Sequence, residues 1–304
     1  MPVVERRDDD RAYGAVTVLF GAENGKYPSG NSLLIAGSDE TVLVDPSLAV
    51  HERGGAPAPV DRVLISHAHE DHLAGLHLYP ELPAYAHELD AEGVRSLEGL
   101  LEIYGLDPEA EAAFTPELVE QFNIVGHGDV RTFTDGDVFD LGGGTRVTVV
   151  HLPGHTGGHS GLLVEPDGFF FIADVDLTGF GPYYGDAASS LEGFLTSLER
   201  CREVDARWYG TFHHKGLVEG RDAFLAQLTE FGDVLRRRED ALLEFLAEPR
   251  RLDEIVARRF VYRPHVDSVF VDAVERRTAI LHLEQLVPAG RVAEVEPGRY
   301  RAVA

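Results

Sequence analysis

The sequence is poor in cysteine, in lysine and in long apolar runs. Cys201 is the single cysteine in 304 residues, so no internal disulfide can form. Its setting in LERCREV reads as one turn of an amphipathic helix with a buried, unreactive thiol. No stretch approaches the roughly 18 consecutive apolar residues of a membrane span. The N-terminus lacks a basic-then-apolar leader, and a soluble, cytoplasmic protein with no membrane partner is expected. A G-x-S-x-G serine-nucleophile pattern is also missing, because GHSGL at 158–162 has Leu162 where the second glycine would stand. There is no internal repeat and no low-complexity tract.

Positive charge is scarce where most of the chain lies. Residues 1–235 hold 14 Lys and Arg against 40 Asp and Glu, whereas residues 236–304 hold 13 against 12. A field of that sign repels phosphate backbones, so nucleic acid is not an expected partner and a small molecule is. With 44% hydrophobic and 26% charged residues the composition is that of a globular chain with a sizeable core. The length allows one large domain or a catalytic domain with an appendage.

The first part reads as short strands, AVTVLF at 15–20, SLLIAG at 32–37, TVLVD at 41–45 and VDRVLIS at 60–66, each rich in Val, Ile or Leu and bounded by turn residues. Helical spacing then runs from about Ala91 to Tyr104 and from Pro108 to Phe122. A second strand set follows from Val130 through DVFDL, TRVTVVHL, GLLVEP and FFFIADV. A helix over Ser189 to Val204, the strand ARWYGTF and a helix over 221–247 complete the order. Two strand blocks with helices after each suggest sheets packed face to face with helices outside, with a mixed α/β arrangement as the alternative that periodicity leaves open. From Arg236 the order helix, turn, helix, helix and a hairpin at Pro297-Gly298 is that of a winged-helix unit. The expected division is 1–220 for the first domain and 221–304 for a helical linker with the small C-terminal domain.

The segment SHAHEDHLAG places His67, His69, Asp71 and His72 within six residues, directly after the apolar strand VLIS. Imidazole nitrogen and carboxylate oxygen are what a borderline divalent ion accepts. PGHTGGHSG puts His155 in a Gly-rich turn after another strand, and FFFIADVD ends a buried strand on Asp174, a carboxylate that is costly there unless it is paired or ligates a cation. ARWYGTF delivers His213 and His214 together. Each segment repeats one order, apolar strand then metal-type residue, as expected when strand ends converge on one rim. His151 and His159 flank His155 and suit outer hydrogen bonds that orient ligands. Tyr183 and Tyr184, in GFGPYYGD, are candidates to polarise a substrate carbonyl.

HAHEDH, PGHTGGHSG, ADVD and FHHKG, in this order across residues 14–220, resemble the metallo-β-lactamase superfamily. The resemblance implies an α+β fold, an αββα sandwich followed here by the small winged-helix-like domain. It implies one metal on His67, His69 and His155, a second on Asp71, His72 and His213, and Asp174 bridging. His214 is then a pocket residue. Two divalent ions are the implied cofactors, zinc first and iron or manganese next, and a shared water ionised to hydroxide is the implied nucleophile, with Asp71 or Asp174 accepting a proton. Two departures stand out: Ala173 occupies the usual glycine position before the bridging Asp, and His213 and His214 compete for the last ligand position.

Asp174 resembles the bridging residue of the glyoxalase II and lactonase branches, although Leu177 stands where the quorum-signal lactonases carry Tyr. The leading expectation is hydrolysis of a small ester, thioester or lactone. The alternative is an endoribonuclease-like nuclease that uses its winged-helix-like tail, against which the near-neutral tail charge speaks. A packing module that closes one side of the active-site cleft, or a homodimer contact, is the plainer use of that tail. A non-catalytic metal-binding protein is the third reading.

Overall fold

Along Thr41–Val44 the side chains alternate between two cores: Val42 and Val44 point into one, Leu43 into another. Val63 and Ile65 against Leu64 repeat the alternation, as period-two strands buried on both faces must. The computed structural model describes residues 3–303. Its first sheet has seven strands in chain order: β1 (Arg11–Tyr13), β2 (Val16–Leu19), β3 (Ser32–Ala36), β4 (Thr41–Val44), β5 (Arg62–Leu64), β6 (Ala84–His87) and β7 (Val130–Phe133). The pairs are antiparallel from β1 to β4 and parallel from β4 to β7.

The second sheet holds β8 (Val138–Asp140), β9 (Arg146–His151), β10 (Ser160–Glu165), β11 (Phe169–Phe171), β12 (Trp208–Gly210) and β13 (Leu217–Glu219), also in sequential order. Its inner face, with Val147, Val149, Leu162, Phe169 and Phe171, meets the first sheet in one core. Its outer face, with Phe170, Ile172 and Tyr209, packs on helices Leu191–Glu203 and Arg221–Phe245. The outer face of the first sheet is covered by helices Leu97–Tyr104 and Pro108–Glu120. The layers are helices, sheet, sheet, helices.

Three stretches differ from the sequence reading. The helical run 91–104 is two helices, Ala91–Arg95 and Leu97–Tyr104. At the break Ser96 is extended and its hydroxyl accepts the Gly99 N–H, so a capping side chain competes with helix continuation. Strands β6 and β13 arise in segments with little β-branched character. As expected from its setting, Cys201 is buried in helix Leu191–Glu203, and burial raises its thiol to about 12, well away from reactive thiolate character.

The C-terminal part is continuous with the sandwich through one helix. Phe224, Leu228, Phe231 and Leu235 of helix Arg221–Phe245 belong to the core of the second sheet. Leu242 and Leu246, at its far end, join Ile255, Leu283 and Val292 in a separate core. That core is enclosed by helices Leu252–Arg258 and Val271–Leu286 and by a three-stranded sheet in the order β14 (Arg250–Arg251), β16 (Arg299–Ala302), β15 (Val292–Glu296). The hairpin between β15 and β16 turns at Pro297-Gly298, with Gly298 at a φ of +70°. None of the helices is long and apolar enough to cross a membrane, among the described residues.

Candidate metal centre

The site sits where the C-terminal ends of β4, β5, β9, β11 and β12 meet on one rim. Backbone there leaves the usual regions: Asp45, Ala173 and His214 have φ of +46°, +45° and +54°. Ala173 therefore adopts a left-handed conformation that glycine enters without a Cβ penalty, and it does so immediately before Asp174. The two sheets are stitched at the rim by Ser160 N–H to Ser66 O and Asn31 N–H to Phe212 O, both 2.9 Å.

Three sets of donor atoms gather on this rim, each within 4.8 Å of one another: His67, His69 and His155; His67, His72 and Asp174; and Asp71, His72 and His213. In the first set His67 Nε2, His69 Nδ1 and His155 Nε2 lie 3.0 to 3.1 Å apart in pairs. In the others His213 Nε2 is 3.0 Å from Asp71 Oδ2 and His72 Nε2 is 3.1 Å from Asp174 Oδ1. Asp174 Oδ2 faces His155 at 3.4 Å and His213 at 3.8 Å, so this carboxylate spans both groups.

The outer ring nitrogens explain what the inner ones are for. His155 Nδ1 donates to Tyr183 O at 3.0 Å and His213 Nδ1 to Gly25 O at 2.7 Å. His69 Nε2 meets Asp186 Oδ2 at 2.7 Å and His72 Nδ1 meets Asp45 Oδ2 at 2.9 Å. Ser66 Oγ, which donates to Asp45 Oδ2 at 2.6 Å, is left to accept from His67 Nδ1 at 3.1 Å. Every outer nitrogen thus directs its N–H outward, and each ring in its neutral form turns a bare lone pair inward. The cluster then contains acceptors facing acceptors: five imidazole lone pairs and two carboxylates, with Asp71 Oδ2 buried and lacking a hydrogen bond. Such a set fits a cation.

Charge at the site divides accordingly. Burial, with His72 and His155 beside it, pushes His67 well below the ordinary imidazole range, and burial with His69 does the same to His155. Burial also opposes charge on His69 and His213, but Asp186 overrides it at the first and Asp174 with Asp71 at the second, holding both at about 9. At His72 too burial is overridden, by Asp174 and Asp45, which raise it well above the ordinary range, so these three rings hold protons that a bound cation would displace. Burial works to raise Asp174, yet His213 and His72 hold it well below the usual carboxylate range.

Of the remaining candidates, His159 is buried beneath Asp174: its Nδ1 bonds Leu152 O at 2.9 Å and its Nε2 accepts the Asp174 N–H at 3.2 Å. His151 points elsewhere, bonded to Gly157 O at 2.8 Å and stacked on His87 with ring centroids 4.0 Å apart. His214 is exposed on the pocket wall and belongs to none of the three donor sets. Tyr183 lines the pocket and donates to Asp186 Oδ1 at 2.9 Å, whereas Tyr184 faces away and pairs with His282 Nε2 at 2.9 Å.

Several site residues were absent from the sequence reading. Asp45 and Asp186 hold His72 and His69. Asp90 accepts from Ala68 N, Thr156 Oγ1 and Gly158 N, tying the first histidine loop to the His155 loop. Asp45 carried a usable signal, since TVLVD ends an apolar strand on a carboxylate just as FFFIAD does. Glu70 is buried on the pocket wall, where it accepts from Tyr27 at 2.9 Å and from Tyr104. Burial, with Asp71 next to it, raises its carboxyl.

Above the donor cluster opens a cavity of about 420 Å³. Part of its lining is apolar, with Leu106, Phe114 and Phe180 from the sandwich and Val266, Phe270 and Val274 from the C-terminal part. No Lys or Arg lines it, among the described residues.

The model of the Metallo-beta-lactamase superfamily matches residues 26–213. The acyl-coenzyme A thioesterase MBLAC2 of Homo sapiens is 26% identical over 227 residues, 66% of this chain and 75% of that one. The N-acyl homoserine lactonase AttM of Rhizobium radiobacter is 26% identical over 185 residues, 56% of this chain and 60% of that one. Among solved structures, a metallo-beta-lactamase family protein from Thermus thermophilus shares the fold with a TM-score of 0.69 and 24% identity, over 95% of this chain and 99% of that one.

Proposed function

The chain belongs to the metallo-β-lactamase superfamily, and we propose that this hydrolase cleaves small, largely uncharged esters, thioesters or lactones at a two-metal centre. The observation that carries the reading is that one cavity is lined both by donors suited to a cation and by a set of apolar side chains. A scissile carbonyl placed at the cluster leaves its acyl chain against Phe114, Val266 and Phe270, where apolar burial stabilises it. A thioesterase and a lactonase among the similar proteins support that substrate class.

In this reading His67, His69 and His155 hold one ion, Asp71, His72 and His213 the other, and Asp174 lies between them. Zinc is the proposed metal, on the imidazole-rich donor set, with iron or manganese accepted by the same ligands. When bound, two such ions supply Lewis acidity and lower the pKa of a shared water. The protein's own part is to fix ligand orientation through Asp45, Asp186 and the carbonyls of Gly25 and Tyr183. Asp71 or Asp174 would relay the proton of the attacking water to the departing thiolate or alkoxide as the acyl bond breaks. The bridging place of Asp174 supports a glyoxalase II-like assignment within the superfamily. The element order and the β14-β16-β15 sheet support a winged-helix reading of the C-terminal unit, with 1–220 as catalytic domain and the unit used for packing.

The test is a parallel panel of acyl thioesters, activated esters and lactones beside labelled single-stranded RNA and DNA, with Asp174→Ala as the blank. Metal-dependent turnover of the acyl substrates and intact nucleic acid are expected. Nucleic-acid cleavage lost in the Asp174 variant, with no acyl turnover, would replace this reading by the nuclease.

A further inference from the structure

Four tyrosines line the cavity: Tyr27, Tyr104, Tyr183 and Tyr262. The first three commit their hydroxyls to carboxylates, Tyr27 and Tyr104 to Glu70 and Tyr183 to Asp186. The Tyr262 hydroxyl has no hydrogen-bond partner among the described residues; the residue bonds only through its backbone N–H.

A phenol left free on a pocket wall is usually a solvated side chain. Here the backbone that carries it is fixed by a buried carboxylate. Glu275, 1% exposed, accepts the consecutive N–H groups of Phe260 at 2.7 Å, Val261 at 3.0 Å and Tyr262 at 2.7 Å. A carboxylate buried this deeply persists only with its lone pairs filled, so the segment is held rigidly. The Tyr262 ring is also flanked by Phe180 and Phe270, with centroids 5.5 and 6.1 Å away. Burial, then the Asp186 and Glu275 carboxylates, hold the phenol above its ordinary value, which keeps its proton in place for donation.

We infer that Tyr262 donates a hydrogen bond to the carbonyl oxygen of the bound acyl substrate, so that the C-terminal unit contributes a catalytic residue to a centre otherwise built by the sandwich. The inference rests on the acyl-hydrolase reading above. Tyr262 lines the same cavity as the donor cluster, and a held donor that meets an oxygen gaining negative charge binds the transition state more strongly than the ground state.

Tyr262→Phe keeps the ring between its neighbours and removes only the hydroxyl. Two readouts are taken on the zinc-loaded protein, with thermal midpoint and zinc content checked as unchanged. For an octanoyl thioester, kcat should fall about 10- to 100-fold while KM moves little. For octanamide, a neutral carbonyl compound, the Kd measured by ligand-observed NMR should weaken about three- to tenfold. Unchanged kcat and unchanged Kd in the variant, or no octanamide binding by the parent protein, overturns the inference. Tyr262-dependent octanamide binding without turnover of any acyl substrate would support the contact and sink the proposed function, so the two failures are distinguishable.

Discussion

His213 and His214 leave one strand side by side, and the backbone turns at His214, whose φ is +54°. His213 Nε2 is thereby set against Asp71 and Asp174, while the His214 ring is left on the exposed wall. His213→Ala should remove about one metal equivalent per chain, and His214→Ala should leave metal content unchanged; zinc titration of both variants decides it. Metal loss in the His214 variant alone would reverse the assignment. The clustered donor types were legible in the sequence because strand, turn and donor follow one another within a few residues. The holders of those ligands were not. Asp186 meets His69 from 117 residues away, and no local spacing announces such a pair.

At the scale of elements, helix Val271–Leu286 grips the loop that carries Tyr183 to Asp186. Arg277 donates to the carbonyls of Asp186 and Ser189, and His282 pairs with the Tyr184 hydroxyl. His282 is buried; that burial, with Arg238 nearby, lowers it to about 4, so the folded protein keeps it neutral. The unfolded chain takes the proton near pH 6.5. The stability held by the neutral ring is thus full above that value and is lost as pH falls toward 4. Between pH 7 and 4.5 the parent protein should lose about 2 kcal/mol more than His282→Gln, which preserves a partner for Tyr184. Equal losses in chemical denaturation at the two pH values would contradict this. The period-two alternation showed most strands in advance. Strand β6 was not readable, since AYAH gains its place by pairing between β5 and β7 rather than from β-branched residues. The helix over 91–104 was read through Ser96 because apolar spacing continues across a cap that only the extended backbone reveals.

For the whole molecule, the order of strand and helix blocks pointed to the layered sandwich but left a mixed α/β arrangement open, which the superfamily resemblance resolved, and the acid excess over residues 1–235 set the expected ligand class. The role of the C-terminal unit was less visible. Its helices and hairpin could be read, and a module closing one side of the cleft was expected, but not that Val266, Phe270 and Val274 are the residues that line the cavity, which depends on long-range packing. The proposed two-metal centre rests on the donor cluster, where five inward ring nitrogens and two carboxylates converge with no Lys or Arg lining the cavity, among the described residues. The most direct test is elemental analysis of protein purified after metal-replete expression, with chelator-stripped protein reloaded in parallel. Close to two equivalents of a divalent transition metal per chain, falling to about one in His213→Ala, is the predicted result. One equivalent or none in the parent protein would contradict the two-metal centre.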